Sequence, residues 1–472
     1  MSTVTPKYYQ AGFRQNSAEH QIDELPIVGQ IPSWLNGSLL RNGPGMVIAD
    51  KPMRHWFDGL AMLHRFHISD GKVSYKSRFL DCEAYRAVQK SGRITYSDFA
   101  TDPCRSLFQK VQTVFEPQPK ITDSAKVNID TIGGKTYALG EPIMQVQFDP
   151  ETLESLGVYH YEKNPANRMN TAHPHHHNGE SYNLVVQYGP VNYYKIYSLV
   201  NGTKEVASIP VLEPGYLHSF GMSDRYFIIA EFPLLVQSVK LLLRLRPFIE
   251  NFKWKNKKGT RFLVIDRQTG KLKNIIKTKA FFSFHHVNAF EVDDQLVLDL
   301  AAYRDASIIE HYYMNRLASV DQELPWGRME RFVLDLKQNK LVERKVLSDA
   351  CIELPHIDYS HYHGKKNYRY VYGCGINPKK RNEFYNQLVK IDVHTGQHQT
   401  WYQEGLYPGE AVFVPNPNRK AEDDGLLLSV VLDTDKGHSF LLVLDAQSME
   451  ERARAMLPHA VLFGYHGSFI KK

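Results

Sequence analysis

Seven times along the chain a run of alternating apolar and polar residues ends at an Asp or Asn, passes a few turn residues and resumes as a second alternating run. Period-two alternation marks a half-buried strand, and Asp or Asn followed by Gly, Thr or Ser marks a turn, so each copy predicts a β-hairpin. The copies are HISDGKVSYKSRF around Asp70, VQFDPETLESLG around Asp149, YSLVNGTKEVASI around Asn201 and VIDRQTGKLKNI around Asp266. VLDLKQNKLVERKV around Asp335, KIDVHTGQHQTW around Asp392 and VLDAQSMEERARAM around Asp445 complete the set. Their spacing of roughly 50 to 80 residues suits a four-stranded blade with its loops, which predicts an all-β fold of propeller type. Asp/Gly hairpins are common in any all-β protein, so the case for a true repeat rests on the residues downstream of them.

Roughly 20 residues after six successive markers stands a side chain able to bind metal. In order these are His173 in TAHP, His218 in YLHSFG, His285 in FHHVN, Glu353 in IELPHI, Glu410 in YPGEAVF and His466 in GYHGSF. A single His near a strand end is ordinarily a hydrogen-bonded structural residue, but residues in one phase of a repeat can converge on a shared axis. Neutral imidazole suits Fe, Zn and Cu, and four such donors leave an octahedral ion with open positions. They would fill a tetrahedral zinc, which argues against a zinc hydrolase. A carboxylate can also accept the other ring N–H of a ligating His and fix its tautomer. Spacing alone leaves Glu353 and Glu410 open as ligands or as supports of this kind.

Composition is that of a globular protein, with 43% hydrophobic and 23% charged residues, and no Gly/Ser-rich or Pro-rich linker divides the chain. One domain over residues 1–472 is therefore expected. A net charge of +6 spread over 472 residues gives no nucleic-acid signature. Cys82, Cys104, Cys351 and Cys374 have no CxxC spacing and read as free thiols of a reducing compartment. MSTVTPKYYQAGFRQNSAEH lacks an apolar signal core, so a cytosolic location is expected.

The motifs RNGPG (Arg41 to Gly45), HWFDGLAMLH (His55 to His64), TAHPH, LHSFG, FHHVNAFE and FGYHGSF occur in this order almost from end to end. In this the chain resembles the carotenoid cleavage oxygenase family. The resemblance implies a seven-bladed β-propeller with loops and short helices capping an axial non-haem Fe(II), held by His173, His218, His285 and His466. It implies supporting carboxylates at Glu353 and Glu410 and at Glu141 in ALGEPIMQ, which lies outside the repeat phase. His175, His176, His177 and His286 are then strand or packing residues, and His55 and His64 are structural, with a turn at Asp58-Gly59. The implied reaction uses O2 as co-substrate and splits one C=C bond of a hydrophobic polyene into two carbonyl products. DGLAMLH and the stretch Thr101 to Phe115 resemble the animal-type branch, which cleaves β-carotene or processes retinoids.

A polyene is nearly insoluble in water, so a membrane contact is expected. Phe232 to Lys258, FPLLVQSVKLLLRLRPFIENFKWKNKK, supplies a candidate. As a helix it would place Leu235, Val239, Leu242, Leu245 and Ile249 on one face and Gln237, Lys240 and Arg244 on others, before a basic cluster at Lys253 to Lys258. The run is too short and too charged to span a bilayer, and Pro247 should interrupt it. Thr101 to Phe115 is a second candidate contact. Among functions, cleavage of a carotenoid or apocarotenoid, possibly at the central 15,15′ bond to give retinal, stands first. Retinyl ester isomerohydrolysis, stilbene cleavage and a non-catalytic binding propeller are the alternatives.

Overall fold

The computed structural model describes residues 8–13, 17–103, 122–160, 168–200, 202–243, 245–319 and 322–472. Their strands form a seven-bladed β-propeller. The second to sixth blades follow one another along the chain, each an antiparallel meander. The second blade, for example, runs Asn128–Ile132, Lys135–Leu139, Met144–Phe148 and Ser155–His160 from inside to outside.

Closure of the ring exchanges strands between the chain ends. The last strand, Gly467–Lys471, is the innermost strand of the first blade and pairs with Gly37–Met46. The N-terminal strand His20–Ile22 covers the outer edge of the same blade through Lys72–Phe79. Ile27–Gly29 instead joins the seventh blade beside Glu451–Met456. These pairings cover the longer strands with short ones and tie the two chain ends into one ring.

Every hairpin marker lies between the third and fourth strand of its blade, except in the exchanged first and seventh blades, where it still joins the last hairpin of the meander. Asn201 itself falls outside the described residues. The recurring Asp has a local cause, because its carboxylate accepts backbone N–H groups of its own turn. Asp149 binds the N–H groups of Glu151 and Thr152, Asp266 that of Thr269, Asp335 that of Gln338, Asp392 that of His394, and Asp445 those of Gln447 and Ser448. Gly270 and Gly396 stand in the same turns at φ 69° and 77°. A Cβ at either would lie 2.0 Å from Val206 O or 2.5 Å from Leu347 O, on the outer strand of the preceding blade. Glycine is therefore required both by the turn and by the blade beside it.

The core lies between blades, where neighbouring sheets interdigitate their apolar faces. Leu39, Phe66 and Ile68 of the first blade pack with Leu426, Leu441 and Val443 of the seventh, all fully buried or nearly so. Val297, Ala301 and Met329 of the fifth meet Val371, Val389 and Ile391 of the sixth in the same way. Each such buried Leu, Ile or Val contributes about 1.5–3 kcal/mol relative to leaving it exposed.

The segment Phe232 to Lys258 departs from the helix expected of it. Leu234–Leu235 is a strand paired with Lys253–Trp254, the helix covers only Ser238–Leu243, and Ile249 sits in a 3-10 turn. Leu235 and Ile249 are buried, whereas Val239 and Leu245 are 59% exposed. The side chains of Leu242 and Arg244 lie outside the described residues. The basic cluster is partly neutralised, because Lys255 and Lys258 both bind Glu213 at 2.5 Å. Strand pairing at both ends has overridden the helical period, and the helix stops before Pro247. No helix among the described residues is long and apolar enough to cross a membrane. Most of the other candidate contact, Thr101 to Phe115, lies outside the described residues; Thr101 itself is buried and donates to Asp58.

Candidate metal centre

After each outer hairpin the chain returns to the axis to begin the next inner strand, and this fixed path is the origin of the repeat phase of the histidines and glutamates. Glu353 opens the inner strand Glu353–His356, His285 lies in Phe282–Val292, and His466 immediately precedes Gly467–Lys471. His173 and His218 occupy the loops that lead into the inner parts of the third and fourth blades. Their rings meet on the axis. One nitrogen from each of His173, His218, His285 and His466 lies within 4.8 Å of the others, and these four could hold one ion. The Nε2 atoms of His173 and His218 are 3.1 Å apart, as are those of His285 and His466.

The outward nitrogens fix the tautomers. His218 Nδ1 is 2.8 Å from Glu141, His285 Nδ1 is 2.6 Å from Glu353 and His466 Nδ1 is 2.7 Å from Glu410. Each Nδ1–H donates to a carboxylate, so each Nε2 presents a lone pair to the centre. Among the described residues no carboxylate hydrogen-bonds the ring of His173. Glu141 comes from the loop between the second and third strands of its blade, which explains why the repeat phase misses it. Tyr216 also donates to Glu141 at 2.5 Å. Glu353 accepts from Leu354 N at 2.7 Å and from Tyr303 at 3.2 Å. Glu410 is held by Arg41 and accepts Gly467 N at 3.0 Å.

Electrostatics oppose protons as the species at the centre. Burial, with the neighbouring imidazoles, holds His173 far below the usual histidine range. Burial outweighs Glu410 and pushes His466 down to about 4, and it lowers His218 against the pull of Glu141. Burial acts the other way on Glu410, yet Arg41 and His466 keep that carboxyl at about 2. His173, His218 and His466 are thus neutral nitrogen donors at neutral pH, and four imidazoles backed by carboxylates are a donor set suited to a divalent transition metal.

The crowded neighbours point elsewhere. His175 bonds Tyr359 and the carbonyl of Phe220, and His176 bonds Asp130 and Ser181. His177 approaches Asp224 at 4.0 Å, and His286 bonds Ser219. His55 pairs with the carbonyl of Ile309 and His64 with Tyr75. The Asp58-Gly59 turn is tied down through Asp58, which accepts the N–H groups of His55 and Ala100. Tyr216, Tyr303 and Arg41 are the site residues that motif reading did not assign a role. For Tyr216 the signal was available, since residues two apart in an extended segment share a side.

A cavity opens beside the imidazoles, three of which line it. Its wall includes the aromatic side chains Trp56, Phe57, Phe99, Phe284, Tyr312 and Tyr465, and the rings of Phe57 and Phe284 lie 6.1 and 5.4 Å from that of His218. Leu241, Arg246 and Phe248, from within Phe232 to Lys258, also border it. Such a space suits an elongated, flat, apolar molecule.

Comparisons with known proteins agree with this architecture. The retinal pigment epithelial membrane protein (RPE65) family matches residues 13–471. The carotenoid-cleaving dioxygenase, mitochondrial, of Macaca fascicularis is 35% identical over 94% of this chain and 91% of its own length. The β,β-carotene 15,15'-dioxygenase of Gallus gallus is 33% identical over 97% of both. Among solved structures, a variant of the Synechocystis apocarotenoid oxygenase superposes with a TM-score of 0.88, 25% identity and 99% of both chains covered. A cobalt-substituted form of that oxygenase gives 0.86, 26% and 99% of both. With a match this nearly complete and relatives above 30% identity along almost the whole length, the chain belongs to the RPE65 and carotenoid oxygenase family.

Proposed function

We propose that the protein is an Fe(II)-dependent dioxygenase that cleaves a C=C bond of a carotenoid or apocarotenoid into two carbonyl products. The observation that carries this reading is the convergence of four imidazoles, three of them tethered by glutamates and lining a cavity with aromatic side chains in its wall. His173, His218, His285 and His466 would hold the iron, and Glu141, Glu353 and Glu410 would fix the rings. Bound Fe(II) supplies the redox chemistry that lets O2 react with an alkene. The chain's own part is to orient the polyene along the aromatic wall, exclude water and select the double bond presented to the metal. No protein nucleophile and no net proton transfer are required, because both atoms of O2 end in the two new C=O groups.

Purified, iron-loaded protein given β-carotene, an apocarotenal, a retinyl ester and a hydroxystilbene separately under labelled O2 tests this. Aldehydes from a polyene, each carrying one labelled oxygen, are expected. Release of a cis retinol from the all-trans ester without aldehyde would assign the chain to isomerohydrolysis instead, and cleavage by iron-free protein would refute the metal role.

The reading includes docking at a membrane near the cavity mouth. Exposed Val239 and Leu245 neighbour the segment that borders the cavity, and exposed Val191 and Leu212 adjoin them, since Asn192 bonds both Leu212 O and Ser238. Apolar side chains beside Lys240 suit an anionic bilayer surface. Changing Leu212, Val239 and Leu245 together to Asp should lower partition onto phosphatidylserine vesicles by roughly tenfold or more in a sedimentation assay. Unchanged partition would remove this face from consideration.

A further inference from the structure

The cavity wall also carries a charge pair, Lys126 and Asp98. Their side chains are only 6% and 11% exposed, and Lys126 Nζ lies 2.7 and 2.9 Å from the two Asp98 oxygens. Asp98 is fixed in turn, because it accepts Gly59 N at 3.0 Å and Phe99 N at 2.9 Å. An ammonium has three N–H donors. Two are engaged by Asp98, and among the described residues no further acceptor takes the third. Burying an ammonium is costly, and a pure hydrocarbon in the cavity would leave that donor without a partner.

The pair stands close to the histidines. Val127 O, next in the chain to Lys126, accepts the N–H of His466 at 3.2 Å. Phe99, next to Asp98, packs its ring 5.2 Å from Phe57 and 5.8 Å from Tyr216, which supports Glu141. Ser97, next in the chain to Asp98, and Ser124, two residues before Lys126, also line the cavity, so the pair stands in a polar part of its wall. A substrate lying along the aromatic side presents one portion to this polar side.

We propose that Lys126, held by Asp98, is a specificity-determining residue that donates a hydrogen bond to an oxygen atom of the substrate. The substrates would then be oxygenated polyenes bearing a hydroxyl, keto or aldehyde group, in preference to hydrocarbon carotenes. Because the pair is neutral overall and Asp98 lies beside the donor, a neutral oxygen fits better than a carboxylate. This rests on the assignment of a polyene substrate and narrows it to one class.

Binding measured without turnover tests the proposal. Full-length, iron-loaded protein under argon is titrated with zeaxanthin against β-carotene, and with an apocarotenal against the corresponding methyl-terminated polyene. Quenching of tryptophan fluorescence is followed, since Trp56 lines the cavity. One hydrogen bond from a charged donor predicts roughly 10- to 100-fold tighter binding of an oxygenated member. In the double variant Lys126→Met/Asp98→Leu, which leaves no unpaired buried charge, that ratio should fall toward unity. Lys126→Gln, which keeps an N–H donor, should retain part of it. Equal affinities within both pairs in the wild-type protein would overturn the proposal, as would an unchanged ratio in a double variant with wild-type circular dichroism and iron content. If no polyene binds at all, the polyene assignment itself fails, a distinguishable result.

Discussion

His218→Ala is expected to lose both its metal and its turnover. The substitution removes one of four converging nitrogens and also a partner of Glu141, leaving that buried carboxylate with Tyr216 as its side-chain partner among the described residues. Loss of a supporting contact typically costs about 10- to 100-fold in metal affinity, so loss of a donor should cost at least that. Iron measured by mass spectrometry on protein prepared anaerobically should fall from near one per chain to roughly a tenth or less, with product formation falling in proportion. An unsatisfied buried carboxylate adds about 1–3 kcal/mol of destabilisation, visible as an earlier thermal transition. His286→Ala is the comparison, because His286 bonds Ser219 and its Nε2 has no partner among the described residues. That variant should keep iron where the His218 variant does not. A His218 variant with full iron and full activity would refute the assignment of the four histidines.

The contrast between these histidines marks what the sequence could and could not convey. The outer hairpins were legible because a local interaction writes them: an Asp carboxylate that caps its own turn needs no distant partner. The axial phase was legible for the same reason, since the distance from an outer hairpin to the next inner strand is set by blade geometry. Where an insertion intervenes, between Asp70 and the inner strand Asn128–Ile132, the phase fails. Ring closure was not legible. Nothing near Gly467–Lys471 announces that it pairs with Gly37–Met46 at the other end of the chain. Phe232 to Lys258 misled because its leucines recur with helical spacing while their actual partners are non-local, as Leu235 with Lys253 and Ile249 with the carbonyl of Phe99. Tyr303 and Lys126 were silent for a similar reason, each acting through a carboxylate many residues away.

Arg41→Met should be the most destabilising single change away from the core, and it should also weaken the metal site. Arg41 lies in Gly37–Met46, and its guanidinium binds Glu410 and, at 2.8 Å, the carbonyl of Tyr465. Glu410 in turn holds the ring of His466 and the backbone N–H of Gly467. One buried cation thus joins the first blade, the seventh blade and the incoming C-terminal strand at the point where the ring closes. Both charges are below 10% exposed, so solvent cannot replace the lost partner. Breaking a buried pair by removing one member typically costs about 3–5 kcal/mol, because the other charge is left uncompensated. Glu410→Gln alone removes the orphaned charge but weakens the acceptor for His466. Together, Arg41→Met/Glu410→Gln should be less destabilising than the two losses added, by about 0.5–3 kcal/mol, since the pair interacts directly. Denaturant unfolding of the four proteins gives the coupling, and iron titration of each separates ring closure from metal binding. Strict additivity, with wild-type iron affinity in Arg41→Met, would mean that the ring closes and His466 is positioned without this ion pair.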